Sequence, residues 1–170
     1  MNIVVKPSKI KSDKTIKVLG HKHSFVQLVA TTIIFNTKCT IYNVPATDDT
    51  DILCKLIVKL GGKATFKNNT VYLDTSSMKY KRIDSQLCNK IHGALYFIFA
   101  LAIRFHKFSV VPTGGCNISA QGVRPYNHLI DILNSFGITK KLNKTEYLWK
   151  PCKKQKSFKI LNGFRIVCSV

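Results

Sequence analysis

The sequence predicts an α/β fold built from a duplicated unit of helix, strand, helix and hairpin. Three observations predict it. Apolar stretches long enough for buried helices alternate with short strand-like runs, and Pro or Gly punctuates the boundaries. The order of these elements is the same in the two halves of the chain. A local similarity repeats with a displacement of about 75 residues: Leu60-Gly61 opens a segment ending Thr70-Val71-Tyr72-Leu73, and Phe136-Gly137 opens one ending Thr145-Glu146-Tyr147-Leu148. In such a unit the helices lie inside and the strands form the outer wall, which accounts for an uncharged run from Ala94 to Ile103; an ordinary buried helix of any α/β domain accounts for it equally, and periodicity alone does not separate the two.

The elements follow in order. Ser24 to Phe35 is an apolar stretch with small residues, stopped by Asn36 and read as a buried helix. Cys39 to Val44 reads as a strand that Pro45 ends. Asp48, Asp49 and Asp51 are placed to cap a helix running to Leu60, terminated by Gly61 and Gly62. A hairpin follows, with strands Ala64 to Phe66 and Val71 to Leu73 around Lys67-Asn68-Asn69-Thr70. The second half gives a helix from Asp84 to Phe105, a strand from Phe108 to Val111, a helix from about Pro125 to Phe136, and a hairpin after Gly137.

Bulk composition narrows the function. The 170 residues are 45% hydrophobic, enough for a sizeable core. Lys plus Arg number 27 against 8 Asp plus Glu, a formal charge of +19, so the surface attracts polyanions. The lysines gather neither into a basic helix nor into a basic strand interleaved with aromatics, which argues against specific nucleic-acid reading. Lys150 to Lys159, the densest stretch, reads as a solvated loop. Cys39, Cys54, Cys88, Cys116, Cys152 and Cys168 include no close pair of the metal or dithiol type, so no structural metal is expected. No secretory core follows Met1, and the longest apolar run is too short to cross a bilayer; a cytoplasmic protein with free thiols is expected.

The chemistry concentrates at Pro112-Thr113-Gly114-Gly115-Cys116-Asn117-Ile118. Two glycines before a cysteine let backbone amides approach an anion and expose the thiol, and nearby cations favour the thiolate. Taken alone, this pattern leaves two readings open: a reactive thiol on a loop, or a buried structural cysteine.

Further segments, in order, carry a resemblance. They are Gly20-His21-Lys22; Asn43-Val44-Pro45 with Asp49 and Asp51; Leu60-Gly61-Gly62-Lys63; Asn69-Thr70-Val71 to Asp74; and Gly114-Gly115-Cys116-x-Ile118 with Arg124-Pro125. Together they resemble the UDP-N-acetylglucosamine enolpyruvyl transferases of peptidoglycan synthesis, from about Lys14 to the end of the chain. The resemblance implies an inside-out α/β barrel built from βαβαββ repeats. It is incomplete here, with one partial domain over 1–170 and repeat units of about 14–80 and 81–170. It implies phosphoenolpyruvate and UDP-N-acetylglucosamine as the molecules bound, with no metal and no organic cofactor.

Carried over by residue, the resemblance gives Lys22 and Arg124 the phosphate of phosphoenolpyruvate. It places Cys116 on a mobile loop as the proton-transferring thiol, and His23, His92, Pro125 and Asn127 at substrate-binding positions. The sequence departs from the family at several of these. His23 stands for an Asn and His92 for an Arg, which exchanges a five-donor guanidinium for an imidazole. Thr113 stands for a Pro, Asn127 for an Asp, and Ser119 to Val123 is longer than its counterpart. The chain ends at Ser169-Val170, before a third repeat and a second globule, so the expected function is that of a truncated or split transferase, inactive alone. A second polypeptide would supply the missing globule. The alternative expectations are a non-catalytic remnant or a module that binds anions or nucleotide sugars, and, third, non-specific polyanion binding driven by charge.

Overall fold

The computed structural model describes Val4, Thr15, residues 18–114 and 126–152, and the backbone of two short strands at 157–159 and 165–167. The elements run α1 (Lys22–Ile34), β1 (Lys38–Ile41), α2 (Asp48–Lys59), β2 (Lys63–Lys67), β3 (Thr70–Asp74), α3 (Ser85–Cys88), α4 (Ala94–Phe105), β4 (Lys107–Ser109), α5 (Asn127–Ser135), β5 (Gly137–Lys141), β6 (Glu146–Pro151), β7 (Ser157–Lys159) and β8 (Arg165–Val167). The strands form two three-stranded antiparallel sheets with equivalent orders, β1-β3-β2 and β4-β6-β5, and a two-stranded ribbon, β7-β8. The architecture is therefore α/β with antiparallel sheets. In each three-stranded sheet the last strand of the hairpin takes the central place.

Local chemistry sets the boundaries. α2 ends in a Schellman turn: the Gly62 N–H donates to Ile57 O at 3.0 Å and the Gly61 N–H to Val58 O at 2.9 Å. Gly61 takes φ +90°, which a residue with a Cβ would adopt only under strain. Between β2 and β3 a two-residue turn puts both Asn68 (φ 49°) and Asn69 (φ 54°) in the left-handed region, as a type I′ hairpin demands. The same Asn69 accepts at its carbonyl from the Val44 N–H and donates from its side chain to Val44 O. That bond ties the hairpin to the chain entering α2.

α1 packs against α4, and the two helices supply Phe25, Val26, Val29, Ile33, Phe97 and Ile98 to one continuous core. Burying side chains of this size contributes about 1.5–3 kcal/mol each. α2 lies on β2 and α5 on β5, so the sheets turn one face inward to the helices. Arg104 of α4 links the first sheet's surroundings to the second half. Its guanidinium donates to Ile33 O at the end of α1, to Thr75 O after β3, and to Asn36 Oδ1.

Several sequence expectations need correction. The helix expected from Asp84 to Phe105 is broken after Cys88, because residues 89–93 turn so that α4 can start against α1. Asp48, Asp49 and Asp51 lie in the first turn of α2, but Thr47 is the N-cap and no side chain caps the helix. The stretch from Lys150 to Lys159 is not wholly loop, since Lys150 lies in β6 and Ser157–Lys159 forms β7. The first unit's opening strand, which the expected βαβαββ order would put before residue 18, falls outside the continuous described segment. Residues 81–84, ahead of α3, form no strand, and the described second half carries αβαββ.

Candidate functional site

The site is built where helices begin. Lys22 is the first residue of α1. The Gly20 N–H donates to Asn43 O at 2.9 Å, and a Cβ on Gly20 would stand 2.5 Å from that oxygen, so only glycine allows this approach. The contact sets the start of α1 beside the Asn43-Val44-Pro45 turn that leads into α2. Across this junction Lys22 Nζ donates to Asp49 Oδ2 at 3.3 Å. The lysine side chain is 40% exposed and the carboxylate 13%. α4 arrives at the same place. A Cβ on its N-cap, Gly93, would stand 2.9 Å from Val26 of α1 and 3.6 Å from Asp49 Oδ1.

Three helix N-termini thus meet around one lysine and one carboxylate. Each terminus carries unpaired N–H groups and a partial positive charge, which suits the place to hold an anion. Asp49 supplies the negative charge in the present arrangement. Its pairing with Lys22 is the feature that sequence reasoning missed. Both residues stand at helix starts, and nothing local distinguishes an aspartate that caps its own helix from one that faces another.

The other expected site residues fall in four places. His92 immediately precedes Gly93 and is half-buried at the entrance to α4. His23 is exposed on the first turn of α1, its ring 5.1 Å from that of His21. Asn127 opens α5 and is exposed; its neighbour His128 lines an apolar cavity of about 210 Å³ with Leu95, Tyr96, Phe99, Leu129 and Ile132. Leu95 and Tyr96 at the start of α4 and His128 and Leu129 at the start of α5 thus face the same cavity. Cys116, Arg124 and Pro125 lie outside the described residues.

The chain enters the segment containing Cys116 from a fixed point. The Gly114 N–H donates to Cys88 O at 3.1 Å, and a Cβ there would fall 1.7 Å from Asn89 O, so Gly114 lies flat on the turn between α3 and α4. That turn also leads to His92. Among the described cysteines, burial followed by the charge of Asp84 pushes the Cys88 thiol up to about 12. Burial followed by Asp51 pushes Cys54 up to about 11. Both thiols are therefore held in the unreactive protonated form near neutral pH. A second cavity, of about 310 Å³, is lined by Leu56, Lys59, Leu60, Lys81, Arg82, Ile83 and Asp84 at the opposite end of α2. Among the described residues, no group of three or more His, Cys, Asp or Glu side chains is placed to hold a metal, and no helix is long and apolar enough to cross a membrane.

Comparison with known proteins adds four findings. The sequence pattern of the family described as EPSP synthase (3-phosphoshikimate 1-carboxyvinyltransferase) matches residues 6–168. The chain is 31% identical over 118 residues to a UDP-N-acetylglucosamine 1-carboxyvinyltransferase of Buchnera aphidicola subsp. Schizaphis graminum, covering 67% of this chain and 28% of that protein. It is 32% identical over 124 residues to UDP-N-acetylglucosamine 1-carboxyvinyltransferase 2 of Bacillus cereus, covering 72% of this chain and again 28% of the relative. The chain thus spans little more than a quarter of these relatives. Among solved structures, the enolpyruvyl transferase NikO from Streptomyces tendae superposes with a TM-score of 0.65 at 23% identity, over 78% of this chain and 29% of NikO. That likeness concerns the fold.

Proposed function

We propose, from the premise that this chain belongs to the EPSP synthase family, that it forms part of a UDP-N-acetylglucosamine 1-carboxyvinyltransferase of peptidoglycan synthesis. The relatives' activity supports the substrate assignment. In this reading the sugar's 3-hydroxyl attacks C2 of phosphoenolpyruvate and phosphate departs. The observation that carries it is the meeting of the α1, α2 and α4 N-termini around Lys22 and Asp49.

A departing phosphate gathers negative charge, and prearranged donors and cations stabilise it most where water is excluded. Lys22 takes the phosphate, exchanging Asp49 for the ligand, and Arg124 joins it as a second cation. His92, beside the α4 N-terminus, and His23 contribute imidazole donors where a five-donor guanidinium and an amide would bind more firmly. Pro125 and Asn127 bound the nucleotide side at the start of α5. Cys116 moves the proton, on a segment that starts from the Gly114 anchor. The fold in this reading is an incomplete inside-out α/β barrel with repeats at about 14–80 and 81–170, and the protein is cytoplasmic. A second wall, from another polypeptide or a further stretch of chain, closes over the substrates and completes their orientation.

Phosphate release tests this. The 170-residue chain is incubated with both substrates, alone and with a polypeptide carrying the part of the Bacillus cereus relative that it does not cover. Release is expected only in the mixture, and only when Cys116 is intact. Turnover by the chain alone, clearly above a Cys116→Ala control, contradicts the dependence on a second wall. No release in a mixture that forms a stable complex leaves the non-catalytic binding module as the function.

A further inference from the structure

We infer that the outer face of the first sheet, β1-β3-β2, is a sequence-tolerant platform for single-stranded nucleic acid, with Tyr72 as the stacking residue. The inference is independent of the transferase reading, whose residues stand at the helix starts.

Strand register assembles the face. Along the central strand β3, Val71 and Leu73 point inward and are buried, while Tyr72 points outward and is 52% exposed. Its cross-strand neighbours are Thr40 on β1 and Thr65 on β2, both exposed and both short, so neither directly opposite side chain is large enough to cover the ring. In the next row outward, Asp74 lies between Lys38 and Lys63 and pairs with Lys38 at 3.5 Å, which leaves Lys63 uncompensated by that carboxylate. At the other end of β2 stands Lys67, also exposed. On β1 Thr40 is exposed and Ile41 buried, the same alternation as on β3, and Tyr42, 74% exposed, follows immediately after the strand.

An aromatic ring central on an antiparallel sheet, with lysines at both ends of the neighbouring strand, matches the needs of a single strand: a flat surface for a base and cations for the phosphates on either side. The charge of +19 supplies the attraction that brings a polyanion to the surface. No single strand carries this pattern, which is why it is invisible along the sequence. The face offers no array of donors and acceptors aimed at base edges, so binding is tolerant of sequence. An acidic protein surface would satisfy the lysines but could stack on Tyr72 only where it happened to present an aromatic ring or guanidinium beside its carboxylates, whereas every nucleotide carries a base next to its phosphate.

The full chain is titrated into fluorescein-labelled oligothymidine and oligouridine of about 12 nucleotides, by anisotropy, from about 50 to 200 mM salt. Binding of both oligomers is expected. Tyr72→Ala weakens binding about 5-fold or more with the salt slope unchanged, and Tyr72→Phe restores it. Lys63→Ala/Lys67→Ala weakens binding and lowers the slope by about 1.4. Removing two exposed lysines elsewhere, Lys55→Ala/Lys144→Ala, has a smaller effect than removing the pair on the face. Circular dichroism checks folding, and Tyr72→Thr replaces the alanine variant should that variant unfold. Tyr72→Ala binding as the wild type does, or the distant lysine pair mattering as much as the near pair, overturns the proposal. Binding to phosphatidylserine vesicles that needs Lys63 and Lys67 but not Tyr72, without oligonucleotide binding, assigns the face to membranes and overturns it as well.

Discussion

Gly93→Ala probes the junction on which the candidate site rests. Gly93 has φ −57° and ψ −17°, a backbone that alanine adopts freely, so the substitution on conformational grounds alone stabilises by about 0.4–1 kcal/mol. Packing opposes this. The new Cβ stands 2.9 Å and 3.1 Å from the two methyl groups of Val26, against the roughly 3.5–4.0 Å of ordinary carbon contact. Val26 is 2% exposed, and as a β-branched residue in a helix it has essentially one rotamer, so it cannot swing aside. α4 must move away from α1, and overpacking of this kind costs about 1–3 kcal/mol. The packing cost outweighs the conformational gain, leaving about 1–2 kcal/mol of destabilisation. For a chain of this length that lowers the Tm by about 2–8 °C in a thermal melt followed by circular dichroism. In a Val26→Ala background the effect of Gly93→Ala should disappear or reverse, because the obstructing methyls are gone. A single variant whose Tm is unchanged or raised would refute the reasoning, since α1 and α4 would then not approach as closely at their N-termini as the site requires.

Other perturbations have equally definite outcomes. Lys22→Met should shift the Tm by less than about 2 °C, because a part-exposed ion pair contributes little to stability; differential scanning calorimetry measures it. Arg104→Met strips donors from Ile33 O, Thr75 O and Asn36 Oδ1 and should cost about 2 kcal/mol or more in urea denaturation, with Arg104→Lys recovering only part because one ammonium cannot span all three acceptors. Brief iodoacetamide treatment near neutral pH, read by mass spectrometry, should label Cys88 and Cys54 slowest, in line with thiols pushed up to about 12 and 11, and Cys116 faster than Cys152. Stability should fall on acidification below about pH 4, the ordinary carboxylate range. Asp84, held down by Lys59 and the Leu87 N–H, and Glu146, held down by Asn143, bind fewer protons folded than unfolded, so their contribution is present above that range and lost as pH drops through their folded values.

The sequence was most legible where one residue type solves a local backbone problem. Gly61-Gly62 ending α2 and Asn68-Asn69 turning the hairpin are such places, and both elements lie within a residue or two of their expected bounds. Lys22 was singled out in the sequence through the motif around it, and the structure places it at the start of α1, paired with Asp49. The break between α3 and α4 was not, because the apolar run from Ala94 continues the helical signal and the reason for the break, Gly93 yielding space to Val26, is tertiary. Asp49 was read as a cap for the same cause: the partner that claims its carboxylate is 27 residues away. The role of Arg104 was not legible, because its three acceptors come from segments that no linear pattern joins. The basic, aromatic outer face of β1-β3-β2 emerges only once the register is known.

The central claim is that the helix starts around Lys22 hold the phosphate of phosphoenolpyruvate. Its most direct test is phosphate release followed by ³¹P NMR in the reconstituted mixture, comparing wild type with Lys22→Ala and Lys22→Arg under conditions in which all three form the complex. Loss of a transition-state cation predicts a fall in release of about 100-fold or more for Lys22→Ala, with partial recovery in Lys22→Arg. Release by Lys22→Ala within a few-fold of wild type would contradict the claim.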